Sequence, residues 1–433
     1  MPDHAHPSGL SGETGPGPDR ALVHVRRLLL KDFRNYAHLD LEPAPGLNLL
    51  VGANAQGKTN LLESILFLAV FRSPRAAREA ELIRWGAEEA HAAAVLGRGD
   101  TSGRLEVRVR QAGPKTIHWN GTALRPQEAL GLLTAVSFFP DDLDLVKGAP
   151  AGRRRLLDVL LCQADGLYRR HLARLQRVLR HRNVQLKALQ GQAKAAALLE
   201  VWNDQLVAEA VPILVRRARA VRRLGEWASA IHGRITGGRE RLELRYEPFF
   251  AELFARPASA ASGAAQEPLS GAPASGDGAE ADAAEAVEPE SPQEAWEDPA
   301  SVRQLCEEAL RRRQREEIAR GVSLVGPQRD DVRFVIDGTD ARSFASQGQQ
   351  RTAVLACKLA ELELLRSETG AYPVLLLDDV LSELDASRRA YLLEAVGETV
   401  QTFVTTAQLE PLPENLVGRA RLFRVERGTA ALV

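Results

Sequence analysis

A phosphate-binding pattern lies near the start of the chain and reads Gly52, Ala53, Asn54, Ala55, Gln56, Gly57, Lys58, Thr59. Its two glycines allow backbone N–H groups to surround a β-phosphate, and a helix that starts at the loop directs its positive dipole end there. Lys58 is placed to contact the β- and γ-phosphates, and Thr59 to bind Mg²⁺. The aliphatic run before the loop predicts a buried strand, and the apolar run after it predicts a helix. The sequence therefore predicts a site for ATP and Mg²⁺.

Two carboxylates, Asp378 and Asp379, end a second predicted strand of four aliphatic residues. Ligand groups lie at the carboxyl ends of parallel strands, so we expect Asp378 to hold Mg²⁺ through water. Asp379 is expected to orient or deprotonate the attacking water, a position where most ABC-type ATPases have Glu. An ordinary strand with a polar end is the alternative. Ser382 and Asp385 favour the functional interpretation, because they follow at the spacing of an ABC D-loop.

A helix start with an unusual composition precedes that strand by 28 residues and reads Ser346, Gln347, Gly348, Gln349. Ser346 is a natural N-cap, and Gly348 allows a ligand to approach the backbone. The pattern resembles the ABC signature, whose alternative here is a capped helix with a flexible start. In ABC-type heads the signature faces the phosphate loop of a second subunit. The pattern therefore predicts a homodimer that encloses two ATP molecules.

The elements around these motifs indicate an α/β fold. Apolar and charged residues alternate over 104–110, and Asn120-Gly121 is a hairpin turn signal, which together predict an antiparallel β lobe. Residues 257–300 are dominated by Ala, Ser, Gly, Pro and acidic residues and cannot bury enough apolar surface to fold, so we expect a disordered acidic insertion there. The fold class predicted is an ABC-type ATPase head split in sequence, with an inserted helical lever-arm domain. Its expected parts are a flexible tail (1–20), the two parts of the head (21–150 and 318–433) and the helical arm (151–317).

The composition favours a polyanionic partner and no membrane. The net charge is −1, but residues 257–302 contain ten acidic and no basic residues, so the rest carries +9. A general bias toward arginine would give the same count. No apolar run approaches the ~18–20 residues of a membrane helix, and the first twenty residues have no signal-peptide core. Three distant cysteines form neither a disulfide nor a zinc pattern, and we expect a cytoplasmic protein.

Besides the phosphate loop, the chain contains the segments LLLKDFRNY, FFPDDLDLVKGAPAGRRRLLD, HRNVQLK, LVGPQRDD, FASQGQQRTAVLACKLAE, PVLLLDDVLSELD and QTFVTT. Through these segments it resembles the RecF family over roughly residues 21–410, outside the acidic stretch. The resemblance implies a DNA gap-repair mediator that dimerises on ATP and binds DNA near single-strand/double-strand junctions. It also implies action with RecO and RecR to load RecA, and it places Arg34 and Asn35 near the adenosine or the phosphates.

Several positions depart from the family pattern. Gln328 replaces the His of GPHRDD, and Ser73-Pro74-Arg75-Ala76 replaces SHRT. Where ABC heads often carry a switch His, Thr405 and Thr406 offer only hydroxyl groups. No Q-loop glutamine is evident near residues 136–140. We therefore expect a weakly hydrolysing, DNA-stimulated ATP switch instead of a fast motor.

An arginine-rich run extends from Arg153 to Arg182 in the predicted arm. Arg174, Arg177 and Arg180 are three residues apart, so they share one helix face and are candidates for binding DNA phosphates. A solvated face of a helical hairpin explains the same pattern. Trp85, Trp119 and Trp202 are expected to pack in the core and not to stack on bases.

Three functions remain open from the sequence. The first is an ATP-gated dimeric DNA clamp in recombinational repair and replication-fork maintenance. The second is a transporter nucleotide-binding subunit, which the basic arm and the missing Q-loop disfavour and which co-purification with membranes would support. The third is a DNA-binding scaffold with a structural ATP site. DNA-stimulated turnover of Mg-ATP separates the first from the third.

Overall fold

The computed structural model describes residues 23–99, 101–192, 195–251, 296–396, 399–408 and 417–433. The predicted tail (1–20) and most of the predicted insertion (257–300) lie outside these ranges. The chain divides into two compact units. The first comprises Met1–Arg170, Ala220–Arg245 and Arg333–Val433, and the second comprises His171–Arg219 and Tyr246–Val332. The sequence predicts an arm over 151–317, whereas the structure assigns residues 151–170 and 220–245 of that range to the first unit.

The strands and helices are defined as follows. The strands are β1 (Val23–Phe33), β2 (Tyr36–Leu41), β3 (Leu47–Val51), β4 (Glu89–Arg98), β5 (Thr101–Arg110), β6 (Thr116–Trp119), β7 (Thr122–Leu124), β8 (Ala135–Phe138), β9 (Leu242–Glu247), β10 (Asp331–Ile336), β11 (Thr339–Asp340), β12 (Val374–Asp378), β13 (Thr402–Thr406), β14 (Arg421–Glu426) and β15 (Thr429–Leu432). The helices are α1 (Lys58–Val70), α2 (Pro126–Ala129), α3 (Asp144–Lys147), α4 (Pro150–Ala164), α5 (Gly166–Ala188), α6 (Ala195–Thr236), α7 (Pro299–Arg320), α8 (Ala341–Phe344), α9 (Gln347–Thr369), α10 (Val380–Glu383) and α11 (Ala386–Val396).

A mostly parallel sheet lies at the centre of the first unit, with the strand order β15-β14-β3-β13-β12-β8. Strands β14, β3, β13, β12 and β8 pair in parallel, and only β15 pairs antiparallel. Every residue of β12 and β13 is buried. Burial on both faces explains why β12 is aliphatic up to its last residue, whereas β13 combines Phe403 and Val404 with three threonines. The predicted α/β head is therefore present, and its two halves come from distant parts of the chain.

The antiparallel lobe has the strand order β2-β1-β4-β5-β6-β7. Its alternation is the one predicted, since Leu105, Val107 and Val109 are buried while Arg104 and Arg108 are exposed. Asn120 and Gly121 both have positive φ (48° and 83°), as a type I′ hairpin turn requires. The lobe shares one hydrophobic core with α1 and the parallel sheet. Phosphate loop, lobe and sheet are thus parts of a single packed body.

Two expectations about side chains in the first unit need correction. Trp85 is 96% exposed and does not pack in the core. Trp119 does pack, because a Cβ on Gly103 of the paired strand would lie 2.1 Å from its ring. Arg153, at the start of the arginine-rich run, is buried and donates to the carbonyl oxygens of Leu145 and Gly148, each at 2.9 Å. Its role is to close the turn before α4, not to contact DNA.

The second unit consists of α7 and the larger parts of α5 and α6, and it encloses a buried ion pair. The Arg182 side chain, fully buried, donates to Glu317 at 3.1 and 2.6 Å and to Asn203 at 3.1 and 2.9 Å. Glu317 also accepts from the backbone N–H groups of Leu324 and Val325. The last residue of the arginine-rich run is therefore structural. It links α5, α6 and α7.

The acidic insertion ends earlier than the sequence suggested. Helix α7 begins at Pro299, because the Asp298 carboxylate accepts from the Ser301 N–H at 2.8 Å as an N-cap. The Trp296 ring packs edge-on against Tyr246 and Phe250, at centroid distances of 6.2 and 6.5 Å. Among the described residues, no helix combines the length and hydropathy needed to span a membrane.

The buried Arg182–Glu317 pair leads to a stability prediction. Arg182→Met leaves the Glu317 charge buried without its cation, so the free energy of unfolding should fall by about 3–5 kcal/mol. Urea denaturation followed by circular dichroism measures this. The matched control is Arg180→Met, an exposed neighbour on α5, for which a change within about 0.5 kcal/mol is expected. Equal stability of the two variants would contradict a structural role for Arg182.

Candidate nucleotide site and signature turn

The strand order positions the predicted nucleotide-site residues at one edge of the parallel sheet. Strand β13 lies between β3, which leads into the phosphate loop, and β12, which ends at Asp378. In register, Thr405 pairs with Asp378 on one side and with Leu50 on the other. Parallel strands present their carboxyl ends at the same edge. The loop, the carboxylates and the two switch-position threonines are consequently neighbours.

The Asp378 carboxylate joins these elements through one oxygen atom. Its Oδ1 accepts from the Thr59 hydroxyl at 3.0 Å and from the Thr405 hydroxyl at 2.8 Å. The same Thr405 oxygen accepts from the backbone N–H of Asp379 at 2.8 Å. Burial raises the pKa of the Asp378 carboxyl, against the opposing effect of the two hydroxyl donors. A hydroxyl at the start of a helix and a carboxylate at the end of a neighbouring strand are the oxygen ligands that Mg²⁺ uses beside nucleotide phosphates.

Lys58 lies inside the loop, where its Nζ donates to the carbonyl oxygens of Gly52 at 2.6 Å and Ala53 at 2.9 Å. Burial lowers the pKa of this ammonium group, against the opposing charges of Asp379 and Asp378. The cation is therefore held among oxygen atoms next to both carboxylates. A lysine, a threonine hydroxyl and Asp378 form a donor set that fits a Mg²⁺–nucleoside triphosphate.

Both glycines of the phosphate loop lie so close to neighbouring atoms that a side chain at either position would clash. A Cβ on Gly52 would lie 2.2 Å from the Val425 carbonyl oxygen on β14. Gly57 has a φ of +118°, and a Cβ there would lie 2.5 Å from the Asn35 side chain. Between them, Asn54, Ala55 and Gln56 are exposed or partly exposed at the loop tip. The motif glycines thus serve loop packing as well as phosphate access.

Two turns hold the phosphate loop from outside. From the β1–β2 turn, Asn35 Nδ2 donates to the Gln56 carbonyl oxygen at 3.0 Å, and the Tyr36 hydroxyl donates to that of Gly57 at 3.0 Å. From the β14–β15 turn, the N–H of Gly428 donates to the Gln56 carbonyl oxygen at 3.0 Å. These contacts fix the carbonyl groups of the loop.

Arg34 is fully engaged in supporting α1. Its guanidinium donates to the buried Glu63 carboxylate at 2.9 and 2.6 Å and to the Glu81 carbonyl oxygen at 2.9 Å. The same carboxylate accepts from the Ser73 hydroxyl. The geometry therefore gives Arg34 a positioning role, whereas Asn35 contacts the loop directly.

Arg75 is a candidate that sequence reasoning did not select. It is exposed, its Nη1 donates to Asn60 Oδ1 at 3.1 Å, and its positive charge acts to lower the pKa of Asp378. In the sequence, Ser73-Pro74-Arg75-Ala76 stands out only as a departure from the family pattern. The signal that could have found Arg75 is a cation directly after the phosphate-loop helix.

Asp379 and the D-loop residues follow β12 without a break. Asp379 has a positive φ of 52°, which directs the chain into the short helix α10. Its carbonyl oxygen accepts from the Ser382 hydroxyl at 2.6 Å. Ser382 and Asp385 are both exposed, and Asp385 accepts from the N–H of Arg388 at 2.9 Å. Thr406, next to Thr405, donates to the Gln408 carbonyl oxygen at 2.7 Å.

The signature turn is built as a capping box at the start of α9. The Ser346 hydroxyl accepts from the Gln349 N–H at 3.2 Å, and the Gln349 side chain accepts from the Ser346 N–H at 2.8 Å. Ser346 and Gln347 are exposed, Gly348 is partly exposed, and the adjacent Phe344 is 76% exposed. The turn is thus rigid and accessible, with a large apolar side chain beside it.

Helix α9 is tied to the turn that follows β8. Lys358 is buried on α9, and its Nζ lies 3.1 Å from Glu361 and 3.4 Å from Asp142. The Asp142 carboxylate also accepts from the Phe139 N–H at 2.8 Å. Close to the segment that lacks a Q-loop glutamine, the Asp142 carboxylate connects the turn after the edge strand β8 to helix α9.

The predicted DNA-binding residues lie in the second unit. Arg174, Arg177 and Arg180 are exposed on α5, and Arg174 is 3.7 Å from Glu209. Gln328 donates to the Val325 carbonyl oxygen at 2.8 Å, so it stabilises its own turn. Asp330 is buried and forms an ion pair with Arg217 at 2.6 Å, which explains the RDD motif as a structural element.

Comparisons with known proteins agree with this architecture. The model of the RecF/RecN/SMC N terminal domain matches residues 24–429. A DNA replication and repair protein RecF from Symbiobacterium thermophilum is 43% identical over 95% of this chain and 98% of its own length. The one from Lacticaseibacillus casei is 38% identical over 94% of this chain and its entire length.

Solved structures give the same result. A structure of the recombination mediator protein RecF-ATP in the RecFOR pathway superposes with a TM-score of 0.78 at 29% identity, covering 95% of this chain and 98% of that one. A RecF-ATPrS structure gives the same TM-score at 28% identity, with 95% and 99% coverage. The chain therefore belongs to the RecF family of DNA replication and repair proteins.

Proposed function

We propose that this protein is an ATP-dependent DNA-binding protein of recombinational repair and replication-fork maintenance. In this proposal two copies dimerise on ATP and Mg²⁺ and form a clamp on gapped or junction DNA. The clamp acts with RecR and RecO to help load RecA, in keeping with the RecFOR pathway named for the solved relatives.

The observation that carries the proposal is the shared Asp378 carboxylate. Thr59 from the phosphate loop and Thr405 from β13 both donate to its Oδ1, so Mg²⁺ bound to Thr59 and the nucleotide would compete for this oxygen. Hydrogen bonds to charged groups contribute about 1.5–3 kcal/mol each to stability. Losing or exchanging one of these bonds when Mg²⁺ binds would therefore change the local structure. Because the Thr405 oxygen also holds the Asp379 N–H, a change at the metal reaches the D-loop.

The exposed signature turn supports dimerisation. Its capping box fixes the helix start, and Ser346, Gln347 and the neighbouring Phe344 face solvent. An exposed N-terminus of a long helix favours anions, which suits the γ-phosphate bound by a second copy. Exposed aromatic side chains are enriched in protein interfaces. The turn therefore has the chemistry expected of the surface that completes the ATP site of a second copy in the dimer.

Turnover in this proposal is slow. Asp379 is one methylene shorter than the Glu usual at this position, and Thr405 and Thr406 offer hydroxyls where other heads have an imidazole base. Neither hydroxyl accepts a proton near neutral pH. The ATP site therefore acts mainly as a switch that hydrolysis resets, and DNA is expected to stimulate the reset.

DNA binding is assigned to the exposed arginines of α5. Arg174, Arg177 and Arg180 present guanidinium groups along one helix face, where they can contact successive phosphates without reading sequence. Arg153 and Arg182 are excluded from this role by their burial.

Substitution of Asp379 tests the chemical step. Asp379→Asn removes the carboxylate that orients water, so ATP hydrolysis should fall by about 10²–10⁴-fold while ATP-dependent dimerisation persists. Phosphate release measures the first quantity, and multi-angle light scattering measures the second. Asp204→Asn, at an exposed aspartate of α6, is the control and should change neither. Unchanged hydrolysis in Asp379→Asn would mean that another group activates the water.

Substitution of Ser346 tests the dimer. Ser346→Arg places a bulky cation at the turn and should abolish ATP-dependent dimerisation while monomer ATP binding remains within about threefold. Ser346→Asn keeps an N-cap of similar strength and should dimerise normally. Light scattering with Mg-ATP and fluorescent-nucleotide titration measure the two properties. A normal dimer in Ser346→Arg would show that the signature turn does not face the partner's nucleotide.

A further inference from the structure

A groove lies between α5 and α6, entirely within the second unit. It has a volume of about 470 Å³. Its walls combine guanidinium groups, two rings and a single carboxylate, contributed by Arg174, Arg177, His181, Trp202, Gln205 and Glu209. The volume falls in the range of about 300–1,000 Å³ typical of sites for small molecules and is far too small for a duplex.

The residue spacing shows that the groove is a continuous feature of two helix faces. On α5, Arg174, Arg177 and His181 recur at intervals of three and four residues. On α6, Trp202, Gln205 and Glu209 recur in the same way. The faces meet in antiparallel order, because Glu209 contacts Arg174 while Trp202 contacts His181. The rim is therefore charged at one end and aromatic at the other.

The charged end has a surplus of cations. The Glu209 carboxylate lies 2.7 Å from a His171 ring nitrogen and 3.7 Å from the Arg174 guanidinium, so it already has two partners. Within the described part of the chain, neither Arg177 nor Arg180 has an acidic partner. Exposed guanidinium groups without carboxylate partners favour phosphate, which they bind through a planar fork of N–H donors.

The aromatic end offers a stacking surface. The His181 and Trp202 rings are nearly parallel, with an interplanar angle of 6° and centroids 5.6 Å apart, and both are accessible. Next to them, Val184, Leu198 and Val201 are 57–64% exposed. Such a group of exposed apolar side chains beside aromatic rings marks an interaction site more often than a solvated surface. Unpaired bases stack on such surfaces with little dependence on sequence.

We propose that this groove binds the unpaired strand of gapped DNA, with bases stacked at His181 and Trp202 and phosphates at Arg174 and Arg177. The inference rests on the proposed DNA-binding function and assigns its single-stranded part to a specific place. Duplex DNA is excluded from the groove because its bases are already stacked on one another and the volume of about 470 Å³ is too small for it. The expectation that Trp202 only packs in the core is revised accordingly.

The test uses the full-length protein and measures binding of fluorescent (dT)₁₅ and of a 15-base-pair duplex by anisotropy, with and without Mg-ATP. Trp202→Leu keeps apolar bulk but removes the ring, so (dT)₁₅ affinity should fall by about 5- to 100-fold. Duplex affinity should stay within about twofold. Trp85→Leu, at an exposed tryptophan outside the groove, is the matched control and should bind both DNAs as the parent does.

Two further variants keep the test decisive if Trp202→Leu fails to fold. His181→Ala should reduce (dT)₁₅ affinity selectively. Arg174→Gln with Arg177→Gln should lower the salt dependence of log K for (dT)₁₅ by about 0.7 for each phosphate that is no longer neutralised. Unchanged (dT)₁₅ binding in variants that fold and still bind duplex overturns the inference and indicates that the groove serves a protein partner. A parent that binds neither DNA overturns the proposed function itself.

Discussion

The buried carboxylate of Asp378 is the constraint on which the rest of the site depends. A carboxylate removed from water must be hydrogen-bonded or its burial becomes costly. Here the hydroxyls of Thr59 and Thr405 satisfy one oxygen at 3.0 and 2.8 Å. Both donors reach it only if β3, β13 and β12 are adjacent in parallel register. A register shift of one residue would turn every side chain to the opposite face of the sheet.

The loop that surrounds this carboxylate is held by parts of the chain that are remote in sequence. Asn35 and Tyr36 reach it from the antiparallel lobe, and Gly428 reaches it from the last hairpin. Glu63, which binds Arg34, fixes α1 to the lobe. The shared hydrophobic core makes these contacts one body, so the phosphate loop has little freedom. Such preorganisation suits the nucleotide binding proposed for this loop.

The sequence predicted those parts of the structure that local patterns determine. The phosphate loop, the strand ending in Asp378, the alternating lobe strands and the Ser346 cap all follow from periodicity or capping rules. Burial of individual arginines could not be predicted. Arg180 and Arg182 are two residues apart on α5, yet only Arg182 faces Glu317 of a helix more than a hundred residues later. The exposure of Trp85 and the position of Arg75 beside Asn60 likewise depend on tertiary contacts that no local pattern encodes.

The most direct test of the account is the effect of Thr405 substitution on ATP-dependent dimerisation across a Mg²⁺ titration. If the Thr405 hydroxyl organises Asp378 and the Asp379 N–H, Thr405→Val should raise the Mg²⁺ concentration needed for half-maximal dimerisation by about 10-fold, as expected for loss of a hydrogen bond to a charged group. Thr405→Ser, which retains the hydroxyl, should match the parent. An identical Mg²⁺ dependence in Thr405→Val and the parent would contradict the central role given to this shared carboxylate.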